Sequence, residues 1–229
     1  MIERKSKLTP VLPLALLGLL LTAEAAAAKI KEPETGVLFP TARIWGRYKM
    51  RAVGVAVREK FGFDVYAGCL YIDAALGREK LKAFLGSSEG KGAYAGGALD
   101  QKKLLRNAAF FRWLIRSDLP MSIDMTFVRD VGEDKVKNGY REGLDKTLKD
   151  KAVRDRFVGQ IKGEIKEYKH ITLNFLPGGK VILQYMGKTH KAIVSKPLAQ
   201  ALLSIYFGKR PINDEIKRNL VGRIGGLLR

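Results

Sequence analysis

The first rhythm of apolar and polar positions along the chain is typical of β-strands. Residues 44–72 are mainly of the β type, and between Phe61 and Tyr71 apolar side chains occupy every second position. Two apolar stretches at 110–116 and 121–129, joined by Ser-Asp-Leu-Pro, predict two more strands. This part of the chain is therefore expected to form a sheet.

A helical rhythm follows in the middle of the chain. Residues 78–86 already predict a short helix that ends at Gly86. Further on, apolar side chains recur at every fourth position in two series that are out of phase, which predicts two helices with a break near Asp150. The two series are Val136, Tyr140, Leu144 and Leu148, and then Val153, Phe157, Ile161 and Ile165.

The pattern returns to the β type at 170–176 and 181–186. These two stretches flank Pro177-Gly178, which suits the two central positions of a type II turn, because proline fixes the first φ and glycine accepts a positive second φ. The sequence therefore predicts a β-hairpin here.

Two helices are predicted to close the chain. Pro197 begins a helix that runs to Phe207, and Gly208 is expected to be its left-handed cap. Asn213 is predicted to cap the last helix, where Asp214 and the residue after it favour the positive end of the helix dipole.

This order of elements predicts an α+β fold in a single domain. We place the domain at residues 41–229. Residues 26–40 are polar, contain Pro33 and Pro40, and are expected to be a flexible lead-in. Residues 87–97 are rich in glycine and predict a loop.

The first 25 residues have the composition of a secretory signal peptide. Basic side chains at the start are followed by an apolar run at 11–21 and by the small residues Ala23 and Ala25. The run is shorter than the roughly 20 apolar residues that span a bilayer. We expect cleavage after Ala25, no transmembrane segment after cleavage, and a periplasmic or secreted protein.

The charge is strongly positive. Lysine and arginine number 42 against 23 acidic residues, a formal net charge of +19. Such a surface attracts polyanions. For an exported chain we expect an anionic lipid surface or an acidic glycan rather than nucleic acid, and a solvated surface with no specific partner remains an alternative, because acidic residues are interspersed with the basic ones.

The residues offer no metal, cofactor or nucleophile site. His170 and His190 are the only histidines and stand far apart, and no cysteine–histidine–carboxylate spacing of a zinc site occurs. Cys69 is the only cysteine, which excludes an internal disulfide, and its strand-like surroundings predict a buried, inert thiol. There is no Gly-x-Ser-x-Gly elbow and no phosphate-binding loop after a strand.

Two stretches resemble the chalcone isomerase family. Arg58 precedes a strand in which Phe63, Tyr66 and Tyr71 follow the family pattern Phe-x-x-(Thr or Tyr)-x-x-x-x-Tyr. Residues 201–208 and 214–218 resemble the closing helix pair of that family. The resemblance implies an open-faced sandwich, in which a large antiparallel sheet is covered on one face by helices and a ligand cleft lies between them.

The resemblance also implies site residues. Arg58 matches the arginine of the enzymes, whereas Tyr66 stands where their catalytic threonine is. The helix-borne tyrosine and asparagine of the enzymes align with Lys135 and Glu142, and the threonine of the closing helix aligns with Ile205. Ser204 lies next to it. Only one active-site residue is thus retained, so no catalytic residue is assigned, and the expected ligand-binding residues are Arg58, Tyr66 and Ser204.

An arginine with a tyrosine in the threonine position looks like the fatty-acid-binding members of the family. The implied function is therefore a non-catalytic binder of a fatty acid or similar apolar carboxylate. An intramolecular lyase acting on a conjugated ketone is the first alternative, and a basic protein that docks on a membrane or a partner is the second. In one unbroken strand Arg58 and Tyr66 would lie about 26 Å apart, so a shared site requires a turn near residues 59–62.

Overall fold

A computed structural model describes residues 28–229, and the predicted signal peptide at 1–25 lies outside them. Strands and helices are mixed along the chain, and every pairing of neighbouring strands in the main sheet is antiparallel. In chain order the strands are β1 Lys29–Lys31, β2 Leu38–Pro40, β3 Ala42–Trp45, β4 Tyr48–Lys60, β5 Phe63–Asp73, β6 Tyr94–Ala95, β7 Ala98–Leu99, β8 Met121–Phe127, β9 His170–Leu176, β10 Lys180–Tyr185, β11 Lys188–Thr189 and β12 Ile193–Val194.

One large sheet forms the centre of the molecule. Its strand order is β11-β10-β9-β8-β5-β4-β3, and β12 pairs with β10 at the edge. The connections from β3 to β4, from β4 to β5 and from β9 to β10 are hairpins, and the last of them is the hairpin that the Pro177-Gly178 turn predicts. Gly178 has a φ of 80°, as the second central position of the predicted type II turn requires.

Helices cover one face of this sheet. They are α1 Ala74–Gly86, α2 Gln101–Arg106, α3 Ala108–Arg116, α4 Glu133–Asp145, α5 Lys151–Val158, α6 Lys196–Phe207 and α7 Asp214–Asn219. The side chains of Asp73, Asn107, Asp150, Ser195 and Asn213 accept hydrogen bonds from the first turns of α1, α3, α5, α6 and α7. The predicted α+β class and the sheet with one helical layer are both confirmed.

The main core lies between the sheet and the helices. Along β8, Met121, Ile123, Met125 and Phe127 face this core, while the alternate residues face the opposite side. From the helical layer, Leu144 of α4 and Leu202 of α6 are completely buried against them. The sheet is therefore apolar on the face that carries the helices, and a cleft can open only where this packing is interrupted.

The opposite face of the sheet carries a smaller apolar cluster. Ile30 of β1 and Phe39 of β2 pack there with Met50, Cys69 and Tyr71. The sequence predicts a flexible lead-in at 26–40, but from Lys29 onward the structure shows a hairpin that is fixed to the domain. Its physical basis is the alternation in β1 and β2, in which one apolar side chain per strand is buried between two exposed neighbours.

A partly buried ion pair extends this second face. The Arg43 guanidinium contacts the Asp124 carboxylate at 2.7 Å and lies 4.0 Å above the ring of Tyr71. Asp124 also accepts a hydrogen bond from the Thr172 hydroxyl. The pair links the edge strand β3 to the central strands β8 and β9.

The strand predicted at 110–116 is wrong, because this stretch is helix α3. Asn107 caps it, with its Oδ1 atom accepting a hydrogen bond from the backbone N–H of Ala109 at 2.8 Å. Phe110, Phe111 and Leu114 are buried. Counted from Phe110 they stand at positions i, i+1 and i+4, which lie on one face of a helix. A short apolar run has no unambiguous period, so the cap decides the structure here.

Two helix ends also differ from the prediction. The second middle helix ends at Val158 rather than near Ile165, which lies instead in an isolated bridge to Val131. Gly208 ends α6 with a φ of −70° and is not a left-handed cap. A glycine is required there because a Cβ atom would lie 2.5 Å from the carbonyl oxygen of Ser204.

Candidate functional site

A cleft of about 720 Å³ opens between the sheet and the helical layer. Strands β4, β5 and β8 form one wall, and α4 and α6 form the other. Its inner surface is mainly apolar, with side chains such as Val65, Phe127, Val136 and Ile205. A cleft with this volume and lining is typical of a site for one small, largely apolar ligand.

Arg58 and Tyr66 meet in this cleft. The chain reverses at Phe61 and Gly62, where φ is 55° and 77°, as in a type I′ hairpin turn. Arg58 of β4 and Tyr66 of β5 are therefore direct cross-strand partners. Side chains at such positions are separated by about 5 Å at their Cβ atoms. The turn near residues 59–62 that a shared site requires is thus present.

Arg58 is half-buried and is held by the backbone of the α6–α7 connection. Its Nη1 atom donates to the carbonyl oxygen of Ile212 at 3.4 Å. Among residues 28–229 no carboxylate lies within 4.0 Å of its guanidinium. A guanidinium has five N–H donors, so most of its donors remain for a ligand in the cleft.

Tyr66 belongs to a group of three tyrosines that line the cleft. The others are Tyr140 of α4 and Tyr206 of α6, whose hydroxyls both point at the sulfur of Met125, at 3.9 Å and 3.4 Å. Burial raises the pKa of all three phenols, and each is raised further by the charge of a neighbouring tyrosine. Arg58 offsets part of this rise in the pKa of Tyr66 and Tyr206. At neutral pH these residues therefore remain uncharged hydroxyls.

Sequence reasoning did not identify Tyr140 and Tyr206 as site residues. Tyr140 belongs to the apolar series of α4, and Tyr206 follows Ile205 in the closing helix, so both have the signature of ordinary core positions. A hydroxyl on the buried face of a helix is the one signal that could have distinguished them, since a buried phenol usually has a polar partner.

Ser204 does not belong to the lining of this cleft. Its hydroxyl donates to the carbonyl oxygen of Gln200, one turn back in α6, at 2.6 Å. Ile205, the next residue, turns toward the cleft instead. Lys135 and Glu142 also line the cleft, and both are exposed on α4. The structure therefore brings Arg58 and Tyr66 together in the cleft but not Ser204, because a helix turns by about 100° per residue and Ile205 takes the position that faces the cleft.

The described part of the chain contains neither a cluster of His, Cys, Asp and Glu suited to a metal ion nor a helix long and apolar enough to cross a membrane. Cys69 lies in the second face of the sheet, away from the cleft, and is completely buried. Burial raises the pKa of its thiol to about 12, so the predicted inert thiol is consistent with its surroundings.

The chain is similar to the crystal structure of a fatty-acid binding protein of Arabidopsis thaliana. The TM-score is 0.69 at 22% sequence identity, and the match covers 88% of this chain and 99% of the plant protein. At this identity the likeness establishes the fold. A search of curated protein sequences finds no match. The sequence model described as chalcone isomerase-like matches residues 103–222, which is more than half of the chain. The chain therefore belongs to the chalcone isomerase-like family.

Proposed function

We propose that this protein is a non-catalytic binder of a fatty acid or a similar apolar carboxylate. The observation that carries the proposal is Arg58, a guanidinium without a carboxylate partner among the described residues, placed beside Tyr66 in a mainly apolar cleft. An apolar chain fits the lining of the cleft. The carboxylate of such a ligand would be the counter-ion of the Arg58 guanidinium. The similar fold of the plant fatty-acid binding protein supports the same ligand class.

The chemistry of the two side chains favours a carboxylate. A guanidinium offers two parallel N–H groups to the two oxygens of a carboxylate, and this bidentate contact is among the strongest polar contacts in proteins. Burial keeps Tyr66 protonated, because it raises the pKa of the phenol, so the hydroxyl can donate a third hydrogen bond. A lysine or an ionised tyrosine at these positions would not provide the same set of donors.

The lyase alternative has less support. That chemistry requires hydrogen-bond donors around a developing enolate, and loss of a single donor of this kind costs about 2.7–4 kcal/mol of transition-state stabilisation. The closing helix presents Ile205 to the cleft, and the hydroxyl of Ser204 is engaged with Gln200. Neither residue supplies a donor at that place, and the hydroxyls of Tyr140 and Tyr206, which do line the cleft, are directed at the sulfur of Met125.

Export completes the proposal. The first 25 residues have the pattern of a cleavable signal peptide, so we place the mature protein in the periplasm or outside the cell. N-terminal sequencing of protein purified from its own host checks this, and an intact Met1 would contradict export with cleavage.

Titration with a long-chain fatty acid tests the binding site. Arg58→Ala leaves the bound carboxylate without its partner, which should cost about 3–5 kcal/mol, or at least a hundredfold in Kd. Tyr66→Phe removes one hydrogen bond to a charged group and should cost about 1.5–3 kcal/mol. Arg58→Lys should restore the affinity only in part, since an ammonium group lacks the bidentate geometry.

Arg51→Ala is the matched control, because Arg51 lies on the same strand but is exposed outside the cleft. Its affinity should equal that of the wild type. If Arg58→Ala and Arg51→Ala bind the fatty acid equally well, Arg58 does not hold a carboxylate and the proposal fails.

A further inference from the structure

The hairpin between β4 and β5 ends in two aromatic side chains that face solvent. Phe61 is 86% exposed and Phe63 is 58% exposed, although both side chains are large and apolar. Both also line the cleft, so the tip of this hairpin forms part of the mouth of the cleft. We use the term aromatic tip for Lys60, Phe61, Gly62 and Phe63.

Exposed aromatics are concentrated at this end of the sheet. In the described part of the chain four aromatic residues are exposed: Phe61, Phe63, Tyr94 and Tyr168. The backbone N–H of Tyr168 donates to the carbonyl oxygen of Phe127, whose own cross-strand partner is Tyr66, so Tyr168 lies at the same end as the aromatic tip. Three of the four exposed aromatic residues, Phe61, Phe63 and Tyr168, therefore lie at the same end of the sheet.

Each phenylalanine of the tip is accompanied by a cation. The Lys60 ammonium lies 5.3 Å from the ring centre of Phe61, and the Arg129 guanidinium lies 4.6 Å from that of Phe63. Within residues 28–229 neither cation is within 4.0 Å of a carboxylate, and the nearby Asp130 is paired with Lys166. Aromatic rings flanked by basic residues are typical of segments that enter the interface of an anionic membrane.

We propose that the aromatic tip docks the protein on the surface of an anionic phospholipid bilayer, with the mouth of the cleft toward the lipid. The phenylalanine rings enter the headgroup region, and Lys60 and Arg129 contact lipid phosphates. The formal charge of +19, which becomes +18 when the three basic and two acidic residues of 1–25 are removed, draws the protein to such a surface over a longer range. Transfer of a fatty acid between bilayer and cleft rests on the proposed function, whereas docking itself does not.

A tryptophan reporter tests whether the tip enters a bilayer. Phe61→Trp in the full chain is mixed with vesicles of phosphatidylglycerol and phosphatidylcholine, and the emission of Trp45 and Trp113, measured on the wild type, is subtracted. We expect a blue shift and quenching by brominated lipids, because an indole leaves water for the interface.

Ile44→Trp is the matched control. Ile44 is 76% exposed, and its cross-strand partner Lys49 lies eleven residues before Lys60 on β4, about 36 Å away along the strand. The indole of the Ile44→Trp variant should show neither the shift nor the quenching. Because the reporter is local, the result does not depend on whether residues 1–27 also contact the vesicles.

Vesicle flotation measures the contribution of the tip. Each phenylalanine that is lost should weaken partitioning about tenfold, so Phe61→Asn with Phe63→Ser should weaken it about a hundredfold, while Ile44→Ser leaves it unchanged. Asparagine is well tolerated at this turn position, so the variant keeps the hairpin. The double variant Lys60→Glu, Arg129→Glu should bind anionic vesicles more weakly than the double variant Arg47→Glu, Lys49→Glu. Both change the net charge equally, but Arg47 and Lys49 lie at the other end of β4, away from the aromatic tip.

Two outcomes would overturn the proposal. One is an emission spectrum of the Phe61→Trp variant that does not change on vesicles, whether or not that of the Ile44→Trp variant changes. The other is a dimer of the wild type in sedimentation equilibrium that becomes a monomer in the Phe61→Asn, Phe63→Ser double variant, while the two proteins float equally with vesicles. The aromatic tip would then be an interface between two copies of this chain. Neither measurement uses a fatty acid, so either can fail without affecting the titration of Arg58.

Discussion

Tyr66, Tyr140 and Tyr206 show how single residues set the character of the cleft. Burial removes water from their hydroxyls, and the phenols stand close enough to raise the pKa of one another. The cleft therefore offers neutral hydroxyl donors next to the fixed positive charge of Arg58. This combination suits an anion with an apolar body and does not require an ionised protein base.

The raised phenol pKa values have a consequence for stability at high pH. A group whose pKa is higher in the folded state stabilises the fold below its unfolded pKa, here about 10, and this contribution is lost as the pH rises through the folded value. The free energy of unfolding should therefore fall above about pH 10, by about 1.4 kcal/mol per pH unit for each phenol that stays protonated only in the folded state.

Urea unfolding at about pH 9 and about pH 11 measures this effect. Tyr140→Phe should reduce the loss of stability between the two conditions, because it removes one of the buried phenols. Tyr94→Phe, which changes an exposed tyrosine, is the control and should behave like the wild type. Identical losses in all three proteins would show that Tyr140 does not contribute to the pH dependence.

At the scale of elements, helix α7 reaches the sheet only because β4 carries a glycine. A Cβ atom on Gly54 would lie 2.2 Å from the carbonyl oxygen of Asn219 and 2.5 Å from the carbonyl carbon of Leu220. The α6–α7 connection precedes this contact and includes Ile212, whose carbonyl oxygen holds Arg58. The close approach at Gly54 thus helps to position the guanidinium in the cleft.

Gly54→Ala should therefore weaken both the fold and the site. Overpacking in a core costs about 1–3 kcal/mol, and a clash with backbone atoms belongs at the upper end of that range. Thermal unfolding and fatty-acid titration measure the two effects. Gly139→Ala is the matched control for thermal unfolding alone, because Gly139 lies in the interior of α4 with no atom near the added methyl group but lines the cleft. It should stabilise the protein by about 0.5–1 kcal/mol. Equal stability of the two variants would show that the approach of α7 tolerates a side chain.

The elements that the sequence predicts correctly are those with a clear period or a clear turn signal. The alternation of apolar residues in β5 predicts a strand, the apolar residue at every fourth position in α4 predicts a helix, and Pro177-Gly178 predicts a turn. Helix α3 has only nine residues, and its large apolar side chains are crowded together, so its period is not readable and Asn107 was the decisive signal. Likewise the burial of Ile30 and Phe39 depends on a surface that other strands create, which local sequence does not contain.

At the scale of the whole molecule, the site exists because a hairpin brings Arg58 and Tyr66 together from neighbouring strands. The residue types of this pair were predictable from the sequence, but their contact was not. The usual turn signal of such a hairpin is Asn-Gly or Asp-Gly, whereas this chain has Phe61-Gly62. The tyrosines of α4 and α6 join the site only when the helical layer is folded over the sheet. The long-range part of the site therefore required the tertiary structure.

The Phe61-Gly62 turn also has a consequence for protein engineering. A non-glycine residue in the left-handed region costs about 1–2 kcal/mol, and asparagine tolerates this region better than phenylalanine. Phe61→Asn should therefore unfold at a higher temperature than the wild type, by about 2–4 °C for each kcal/mol gained, which differential scanning calorimetry measures. A lower Tm in this variant would show that the phenyl ring stabilises the turn. If the Tm rises, selection for thermostability alone would replace Phe61 and so discard the part of the molecule that meets the lipid.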